Sequence, residues 1–565
     1  MSEQKDYQFD AIVVGSGMSG GWAMKELTEA GLRTLVVERG QMVEHGRDYI
    51  TEHKNAWEMP LRGRIPESEL AKDYPVQLRT YVFSEYTRHF FAKDSDNPIV
   101  EEKPFTWIQT NVVGGRSLLW ARQSYRWSAM DFMANSEDGH GADWPIRYED
   151  IEPWYAYIER AIGISGSREN LSQLPDSVFQ KPMEMNVVEK HFKSRVESAF
   201  QERKVIMGRV AVLTEPKGDR LPCHYCGPCE RGCSTGSYYS TQSVPLPAAR
   251  ATGNLTLKPN AVVESVIYDA STNRAAGVRV IDALTQEVVE YRAKLIFLCA
   301  SAMGTARIML NSTSSTFPTG IANSSGTLGR YLIEHHARVG ADGQFDGFQD
   351  RYYQGNRPNG LYVPRFRNID AQTRQNSFVR GYGFQGRAVR QGWSRGQSMA
   401  GFGESFKQQL RAPGSWGMNI QAFGEVLPRY ENYCELDKEV KDKFGIPALR
   451  FNVTRGDNEL AMRKDMAATA AEMLESAGAV NVTTFDRADV PPGTANHEMG
   501  SARMGRDPQT SVLNGFNQCH DVPNLFITDA ACMTSSACQN PSLTYLALTA
   551  RACNHAVELL KRGEI

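Results

Sequence analysis

The chain has 565 residues, and 63 Lys and Arg against 65 Asp and Glu leave a formal charge of −2. That length corresponds to roughly three to four domain-sized units, and the near-neutral charge argues against nucleic-acid binding as the main role. Apolar residues make up 41% of the sequence, which excludes extensive disorder. Apolar runs stay below the roughly 18 residues of a membrane span, and residues 1–10 lack a secretion-signal pattern. We therefore expect neither a membrane span nor a signal peptide of its own.

The first forty residues predict a βαβ unit. Residues 9–14 (FDAIVV) form an apolar, β-branched run typical of a buried parallel strand. A glycine-rich turn follows, then a helical pattern that ends at Gly31, and residues 32–37 (LRTLVV) predict a second strand. Glu38 closes that strand.

The turn between the predicted strand and helix has the pattern of a dinucleotide site. Gly15 makes the tight turn, Gly17 lets the backbone approach a pyrophosphate, and Gly20 allows close packing of helix on strand. The helix N-terminus favours phosphate, and Glu38 is placed to accept hydrogen bonds from ribose hydroxyls. A glycine-rich turn without a ligand is the plainer alternative, and the pattern alone leaves FAD and NAD unresolved.

The middle of the chain alternates between irregular and regular stretches. Residues 45–210 and 340–450 are irregular and rich in aromatic residues, while residues 255–300 predict alternating strands and turns. Helical periodicity returns at 459–477. The simplest organisation is a nucleotide-binding core interrupted by a second region that faces the substrate.

Four of the ten cysteines are clustered, with the spacing Cys223-x2-Cys226-x2-Cys229-x3-Cys233. Such tight spacing suits an iron–sulfur cluster, because several thiolates must converge from one loop. Zinc, with His224 as an extra ligand, is the first alternative, although zinc sites usually pair two separated knuckles. A purely structural role is the second alternative.

Two polar residues near the C-terminus form a candidate catalytic pair. His497 opens the string HEMGSARMG, and a neutral imidazole can take a proton from an alcohol while hydride leaves its carbon. Asn540 lies in QNPSLT, and its amide can bond the same substrate oxygen without competing for the proton. A packed or capping histidine is the plainer interpretation of spacing alone.

These pieces together resemble the glucose–methanol–choline oxidoreductase family of FAD-dependent alcohol and sugar oxidases and dehydrogenases. Their order along the chain matches the family's order, which is more specific than any single piece. The matching strings are GSGMSG with Glu38, VGGRSLLW at 113–120, CASAMGTARIMLNS at 299–312, LGRYLIEHH at 328–336, HEMGSARMG, FITDAACM and QNPSLT.

The resemblance implies roles for residues that match the family's motifs. His497 matches the active-site base and Asn540 its His-or-Asn partner. Further positions match flavin-binding segments, among them Val263 at the backbone contact to adenine. The implied cofactor-binding residues are Gly15, Gly17, Gly20, Glu38, Gly115, Ser117, Val263, Asp529, Ala530 and Pro541.

The fold implied by the resemblance is α/β, with a Rossmann-type FAD-binding domain and a discontinuous α+β substrate-binding domain. We expect the FAD-binding domain to comprise residues 1–45, 215–312 and 490–565, with the cysteine-cluster loop at 221–235. Residues 46–214 and 313–489 would form the substrate-binding and cap regions.

Two features of this chain, Leu119 and the cysteine cluster, bear on the expected cofactors. Where some relatives tether the flavin through a histidine just before Trp120, this chain has Leu119, so we expect dissociable FAD. Some bacterial members hold a 3Fe–4S cluster on three cysteines in this region. We therefore expect three of Cys223, Cys226, Cys229 and Cys233 to hold a 3Fe–4S cluster, with Cys229 and Cys233 matching its last two ligands and 4Fe–4S on all four as the alternative. Ser234 replaces the proline of ferredoxin runs.

Among iron–sulfur members the strongest resemblance is to the catalytic subunit of bacterial glucoside 3-dehydrogenases. It implies oxidation of a sugar or glucoside hydroxyl to a ketone, with electrons passing through the cluster to a cytochrome c-type acceptor. It also implies a small partner subunit with a twin-Arg signal, and hence a periplasmic location, with the cytoplasm as the alternative. The competing functions are an oxidase that uses dioxygen, with a structural metal at the cysteines, and a non-catalytic flavoprotein.

Overall fold

The computed structural model describes residues 8–45, 47–348 and 356–565. This part of the chain contains nineteen strands and ten α-helices. The strands are β1 (Phe9–Val14), β2 (Thr34–Val37), β3 (Val100–Glu101), β4 (Ile164–Ser165), β5 (Phe179–Gln180), β6 (Ile206–Met207), β7 (Leu255–Lys258), β8 (Ala261–Asp269), β9 (Arg274–Asp282), β10 (Val288–Leu298), β11 (His335–His336), β12 (Val339–Phe345), β13 (Leu361–Val363), β14 (Tyr382–Arg390), β15 (Trp416–Glu425), β16 (Tyr433–Lys441), β17 (Pro447–Asn452), β18 (Val480–Asp486) and β19 (Leu525–Ile527). The helices are α1 (Met18–Glu29), α2 (Glu67–Asp73), α3 (Ala129–Asp138), α4 (Tyr148–Ile162), α5 (Val187–Ala199), α6 (Pro245–Ala251), α7 (Ala302–Asn311), α8 (Gly403–Arg411), α9 (Asp457–Ser476) and α10 (Ser542–Lys561).

The first sheet contains the predicted βαβ unit. Five parallel strands run in the order β7-β2-β1-β10-β19, and the first half of β10 also joins the antiparallel strands β9 and β8. The strands β1 and β2 are apolar and almost wholly buried, as expected for strands covered on both faces. The prediction of a strand, a glycine turn, a helix and a second strand is confirmed.

The helix α1 lies against the first sheet and against α10. It buries Trp22, Ala23, Met24 and Leu27, and this apolar surface fixes the direction of the helix relative to β1. Because the chain enters α1 directly from β1, the helix N-terminus lies at the carboxyl end of the parallel strands. That edge is where open α/β sheets bind their ligands.

The second sheet is antiparallel, with the order β18-β12-β15-β14-β13-β6, and β11 pairs with β15. Successive residues of β15 alternate between two environments, as the period of a strand requires. Met418, Ile420 and Ala422 are buried in the core formed with α9, whose Met462 and Met466 join the same cluster. The intervening residues Asn419 and Gln421 face a large cavity. The sheet therefore has one apolar face and one polar, cavity-lining face.

The strands of each sheet come from one of the two sets of segments expected to form the domains. The strands of the first sheet lie within 8–45, 215–312 and 490–565, and those of the second lie within 46–214 and 313–489. The domain boundaries themselves stay a prediction. In the described residues, no helix combines the length and the apolar character needed to cross a membrane.

Candidate active site

A large cavity lies between the two sheets. Its volume is about 1270 Å³, above the roughly 300–1,000 Å³ of pockets for small ligands. The first sheet contributes the ends of β1 and β2, and the second contributes residues of β12, β14 and β15. An elongated cofactor and a substrate could therefore occupy it together.

The glycine turn forms one end of this cavity. Gly15 has φ +93°, and a Cβ there would lie 2.5 Å from the Cys299 carbonyl oxygen. At Gly20 a Cβ would lie 1.9 Å from the Gly15 carbonyl oxygen, so only glycine permits this packing of α1 on the turn. Gly17 differs, because a Cβ there would meet nothing within 4 Å, and the residue lines the cavity. Gly15 and Gly20 thus serve the turn and the packing that the sequence predicts, whereas the approach of Gly17 to a pyrophosphate stays a prediction.

Glu38 also lines the cavity, at the end of β2. Its carboxylate accepts hydrogen bonds from Ser16 N (3.0 Å), Ser16 Oγ (2.6 Å) and Gly40 N (2.8 Å). Burial raises its pKa above the ordinary value, while these donors favour the charged form. The side chain is therefore held in one position beside the glycine turn.

The 3₁₀ turn Gly115–Leu118 packs directly against the glycine turn. A Cβ on Gly115 would lie 3.3 Å from the Gly17 Cα, and Gly115 itself has φ +51°. Ser117 Oγ donates to the Gly114 carbonyl oxygen (2.6 Å) and accepts from Thr241 N (3.0 Å). Both residues line the cavity.

Four further predicted residues lie around the cavity or behind it. Val263, Asp529 and Ala530 line the wall, whereas Pro541 is buried at the start of α10 and does not. Asp529 caps the 3₁₀ turn Ala530–Cys532 by accepting from Ala531 N (2.9 Å). Burial raises the pKa of Asp529 to about 6, and the hydroxyl of Thr305 donates to it (2.5 Å).

His497 and Asn540 meet in the same cavity. Asn540 Nδ2 lies 3.1 Å from His497 Nε2, although the two residues come from different C-terminal segments. Burial lowers the pKa of His497 well below its ordinary value, and His335 and Arg116 lower it further. The imidazole is therefore neutral at neutral pH and has a lone pair available for a proton.

The opposite ring nitrogen of His497 faces a second histidine. His335 Nδ1 lies 2.9 Å from His497 Nδ1, and His335 Nε2 lies 3.1 Å from the Ser536 carbonyl oxygen. His335 is 1% exposed, and burial lowers its pKa to about 4. Both nitrogens of each ring are thus within hydrogen-bond distance of a partner.

A line of amides extends from Asn540 along the cavity wall. Gln385 Nε2 donates to Asn540 Oδ1 (2.7 Å), and Gln123 Nε2 lies 3.1 Å from Gln385 Oε1. The Tyr125 hydroxyl donates to Gln123 Oε1 at the far end. These contacts hold the amide of Asn540 in one orientation, with its NH₂ group toward His497.

An ion pair between partly exposed Arg116 and buried Glu498 lies near His497. Arg116 Nη1 is 2.7 Å from Glu498 Oε2, and Glu498 is 1% exposed at its side chain. Arg116 lines the cavity, so it places a fixed positive charge beside the space between the glycine turn and His497.

The cysteine loop borders the cavity through the residues between its thiols. Gly227, Pro228, Glu230 and Arg231 line the wall, whereas the four cysteines do not. Arg231 anchors the loop by donating to the Lys54 carbonyl oxygen (3.0 Å) and by lying 3.4 Å from the ring centre of Tyr86. The loop therefore lies beside the cavity that holds His497.

The thiols lie near one another without forming a closed ligand set. Burial raises the pKa of Cys223 and Cys226, and the neighbouring Cys233 raises both further. Cys226 is exposed and the other three are partly buried. In the described part of the chain, no three or more His, Cys, Asp or Glu side chains are arranged to hold a metal ion. The sequence prediction of a metal centre is therefore not supported as a preformed site and stays a prediction.

Comparison with known proteins assigns the chain to a family. Residues 9–337 match the N-terminal part, and residues 428–549 the C-terminal part, of GMC oxidoreductase. The chain belongs to the GMC oxidoreductase family. The prediction of this family and of its α/β fold is confirmed.

Individual relatives match this chain over nearly its whole length. It is 30% identical to 2-methyl-1,2-propanediol dehydrogenase of Mycolicibacterium austroafricanum, covering 96% of this chain and 94% of that protein. It is 27% identical to the fructose dehydrogenase large subunit of Gluconobacter japonicus, covering 98% of each. A formate oxidase of Aspergillus oryzae is similar in structure, with a TM-score of 0.61 and 12% identity over 98% of this chain and 99% of that one.

The observed cavity fits the FAD that the GMC family implies. Gly17 leaves open space where a pyrophosphate would approach, and the first turn of α1 has no side-chain cap to occupy its N–H groups. Glu38 is held at the ribose position of such motifs. Leu119 lines the cavity and offers no atom for a covalent bond to flavin, so non-covalent binding stays our prediction.

Several residues in this site were missed by the sequence analysis. His335 lies in the string LGRYLIEHH, which supported the family resemblance but received no role of its own. Gln385 and Gln123 gave no signal, because each lies in a stretch that reads as irregular. Arg116 lies in VGGRSLLW and Glu498 in HEMGSARMG, but neither motif indicates that the two side chains form an ion pair at the site.

The different surroundings of Gly17 and Gly20 generate a testable contrast. We expect Gly17→Ala to fold normally, because its methyl group would enter open space, but to bind FAD at least ~10-fold more weakly. Gly20→Ala should instead lower the thermal unfolding midpoint of the flavin-free protein, because its methyl group would collide with backbone.

Flavin titration and thermal unfolding of flavin-free protein separate the two effects. Equal FAD affinity in Gly17→Ala and the wild type would show that this turn does not hold the cofactor. An unchanged midpoint for Gly20→Ala would contradict the close approach of α1 to the turn.

Proposed function

We propose that the protein is a FAD-dependent dehydrogenase that oxidises a secondary hydroxyl of a sugar or glucoside to a ketone. The observation that carries the proposal is the 3.1 Å contact between Asn540 Nδ2 and His497 Nε2 inside the cavity that the glycine turn also lines. A base, a hydrogen-bond donor and the residues proposed to hold the cofactor thereby line one cavity.

The two side chains have complementary tasks toward an alcohol. His497 Nε2 accepts the hydroxyl proton, and Asn540 Nδ2 donates to the same oxygen and fixes its position. Bound FAD would supply the acceptor for the hydride that leaves the substrate carbon. Because its surroundings lower the pKa of His497 well below the ordinary value, the ring is unprotonated before substrate binds.

The polar face of the second sheet supports a hydroxylated substrate. Asn419 and Gln421 of β15 and Gln385 of β14 present uncharged donors and acceptors to the cavity. Neutral amides match hydroxyl groups, which both donate and accept. The named activities of the relatives, on a diol and on fructose, are in keeping with such a substrate. The choice of the C3 hydroxyl of a glucoside rests on the resemblance of the C-terminal strings to glucoside 3-dehydrogenases.

We propose that the cysteine loop holds a second cofactor, an iron–sulfur cluster. Cys223, Cys226, Cys229 and Cys233 supply thiolates of the kind and number that an iron–sulfur cluster requires, beside the cavity wall. A bound cluster, 3Fe–4S by preference, would accept electrons one at a time. Because the described thiols do not form a closed set, binding would require the loop to rearrange around the cluster.

We further propose that the enzyme delivers electrons to a cytochrome c-type protein and works with a small subunit that carries a twin-Arg signal. That subunit would bring the folded enzyme to the periplasm. The relative named as a fructose dehydrogenase large subunit gives a precedent for a multi-subunit member of the family.

The catalytic roles predict unequal effects of two substitutions. His497→Ala should retain FAD and lower the rate of flavin reduction by a sugar at least ~10²-fold, because the proton acceptor is lost. Asn540→Ala should slow the same step less, because this residue orients the oxygen without taking its proton.

Rapid anaerobic mixing of FAD-loaded protein with methyl glucoside measures both rates. His191→Ala is a suitable control, since that histidine bonds the Ala477 carbonyl oxygen and does not line the cavity. Reduction of the His497→Ala variant at wild-type speed would remove His497 from the mechanism.

The cluster proposal predicts a separation of metal content from flavin chemistry. Cys229→Ser and Cys233→Ser should lose iron from a wild-type content of roughly three to four atoms per chain. Flavin reduction by sugar should continue in both variants, because His497 lies in another segment. Ser234→Ala, an exposed change within the same loop, should keep its iron.

Metal analysis of anaerobically purified protein and rapid-mixing kinetics test this separation. Zinc without iron, together with stoichiometric hydrogen peroxide from dioxygen, would overturn the cluster and favour the oxidase alternative.

A further inference from the structure

The Ser536 main-chain carbonyl is the fixed end of the hydrogen bonds around His497. A carbonyl oxygen can only accept, and His335 Nε2 lies 3.1 Å from it. His335 Nε2 must therefore carry a hydrogen. This contact is buried, with His335 1% exposed and Ser536 fully buried, so water does not compete for either group.

The protonation of His335 then determines the facing nitrogen of His497. Burial lowers the pKa of His335 to about 4, so the ring is neutral near pH 7 and its Nδ1 has no hydrogen. His497 Nδ1 lies 2.9 Å from that bare nitrogen. A hydrogen bond at this distance requires that His497 Nδ1 be the donor.

We propose that His335 is a positioning residue that holds His497 in its Nδ1–H tautomer, with Ser536 O as the reference acceptor. Nε2 of His497 is then the unprotonated nitrogen, and it is the one that faces Asn540. The consequence for catalysis rests on the proposed alcohol oxidation, whereas the tautomer itself does not depend on it.

The amides on the other side of His497 independently agree with this tautomer. Asn540 presents its NH₂ to His497 Nε2, because its oxygen already accepts from Gln385 Nε2 at 2.7 Å. Gln385 Oε1 in turn faces Gln123 Nε2, and Gln123 Oε1 accepts from the Tyr125 hydroxyl. All six hydrogen bonds therefore point in one direction, from the Tyr125 hydroxyl to the Ser536 carbonyl oxygen.

The opposite tautomer would conflict at both ends of the His497 ring. Its Nε2–H would face the NH₂ of Asn540, which sets donor against donor. Its bare Nδ1 would face the bare Nδ1 of His335, which sets acceptor against acceptor. The conflict cannot be relieved at His335, because Ser536 O already holds the hydrogen of that ring on Nε2.

The tautomer decides whether His497 can act as a base. An alcohol bound beside Asn540 Nδ2 needs an acceptor for its hydrogen, and only the Nδ1–H tautomer offers the Nε2 lone pair there. A histidine held in the wrong tautomer loses much of its activity even when its position is unchanged, as in the aspartate-deficient serine protease triad. His335 thus serves the base without touching substrate.

The tautomer can be measured directly in FAD-loaded protein labelled with ring-¹⁵N histidine. Two-bond ¹⁵N–¹H correlation spectra distinguish Nδ1–H from Nε2–H rings, and loss of signals in His497→Gln and His335→Gln assigns the two residues among the eleven histidines. We expect Nδ1–H for His497 and Nε2–H for His335. A wild-type His497 in the Nε2–H form would overturn the proposal.

Three variants separate positioning from general structure. His335→Leu removes the acceptor, so the Nε2–H form of His497 should appear and flavin reduction by sugar should fall on the order of 10²-fold. His335→Gln can accept from His497 through its oxygen and donate to Ser536 through its NH₂, so it should restore the tautomer and most of the rate. His336→Leu is the matched control, since His336 is the next residue of β11, equally buried, and points to the opposite face.

The FAD content of each variant shows whether it has folded, and the His335→Gln protein keeps the test valid if His335→Leu does not fold. A His335→Leu protein with His497 still Nδ1–H, or a Gln variant that restores neither tautomer nor rate, would overturn the proposal. If the wild type has the expected tautomers but no sugar or alcohol reduces its flavin, the proposed function fails while the positioning role stands.

Discussion

The site depends on keeping one imidazole neutral and oriented at the junction of two sheets. Burial lowers the pKa of His497, and the Arg116 cation close by lowers it further. A neutral ring in such a place needs a partner for each nitrogen, because an unpaired buried polar atom is costly. His335 and Asn540 supply these partners from different segments. The site therefore forms only when β11, the segment at His497 and the start of α10 have all come together.

The two sheets meet this requirement in different ways. The first sheet supplies a rigid cradle, because Gly20 lets α1 approach the glycine turn and Gly115 lies directly over Gly17. The second sheet supplies a face that is apolar toward α9 and polar toward the cavity, simply through the alternation of β15. Between them lies a cavity of about 1270 Å³, a volume large enough for a cofactor and a substrate together. The site thus lies in the cavity between two sheets, each of which has its own hydrophobic core.

Features that depend on short, local sequence patterns could be predicted from the sequence. The βαβ unit and the glycine turn follow from such patterns and are confirmed. The structure also brings His497 and Asn540 together, while the catalytic roles of the two residues stay predictions. The second sheet was not foreseen, since its strands are scattered through irregular stretches and pair over long separations. The roles of His335 and Gln385 could not be predicted for the same reason. Each contacts the His497–Asn540 pair only through the tertiary fold, and such a contact has no characteristic spacing in the sequence. For the cysteines, spacing predicted the donor set, but it could not predict how the loop arranges its thiols.

We propose that this cavity oxidises a sugar hydroxyl with bound FAD. This proposal is tested most directly by anaerobic incubation of the purified, FAD-loaded enzyme with methyl glucoside and a dye acceptor, followed by NMR identification of the product. The account predicts bleaching of the flavin by the sugar, reduction of the dye, and one 3-keto glucoside formed per two electrons transferred. Flavin that stays oxidised with methyl glucoside, with other sugars and with simple alcohols would contradict it.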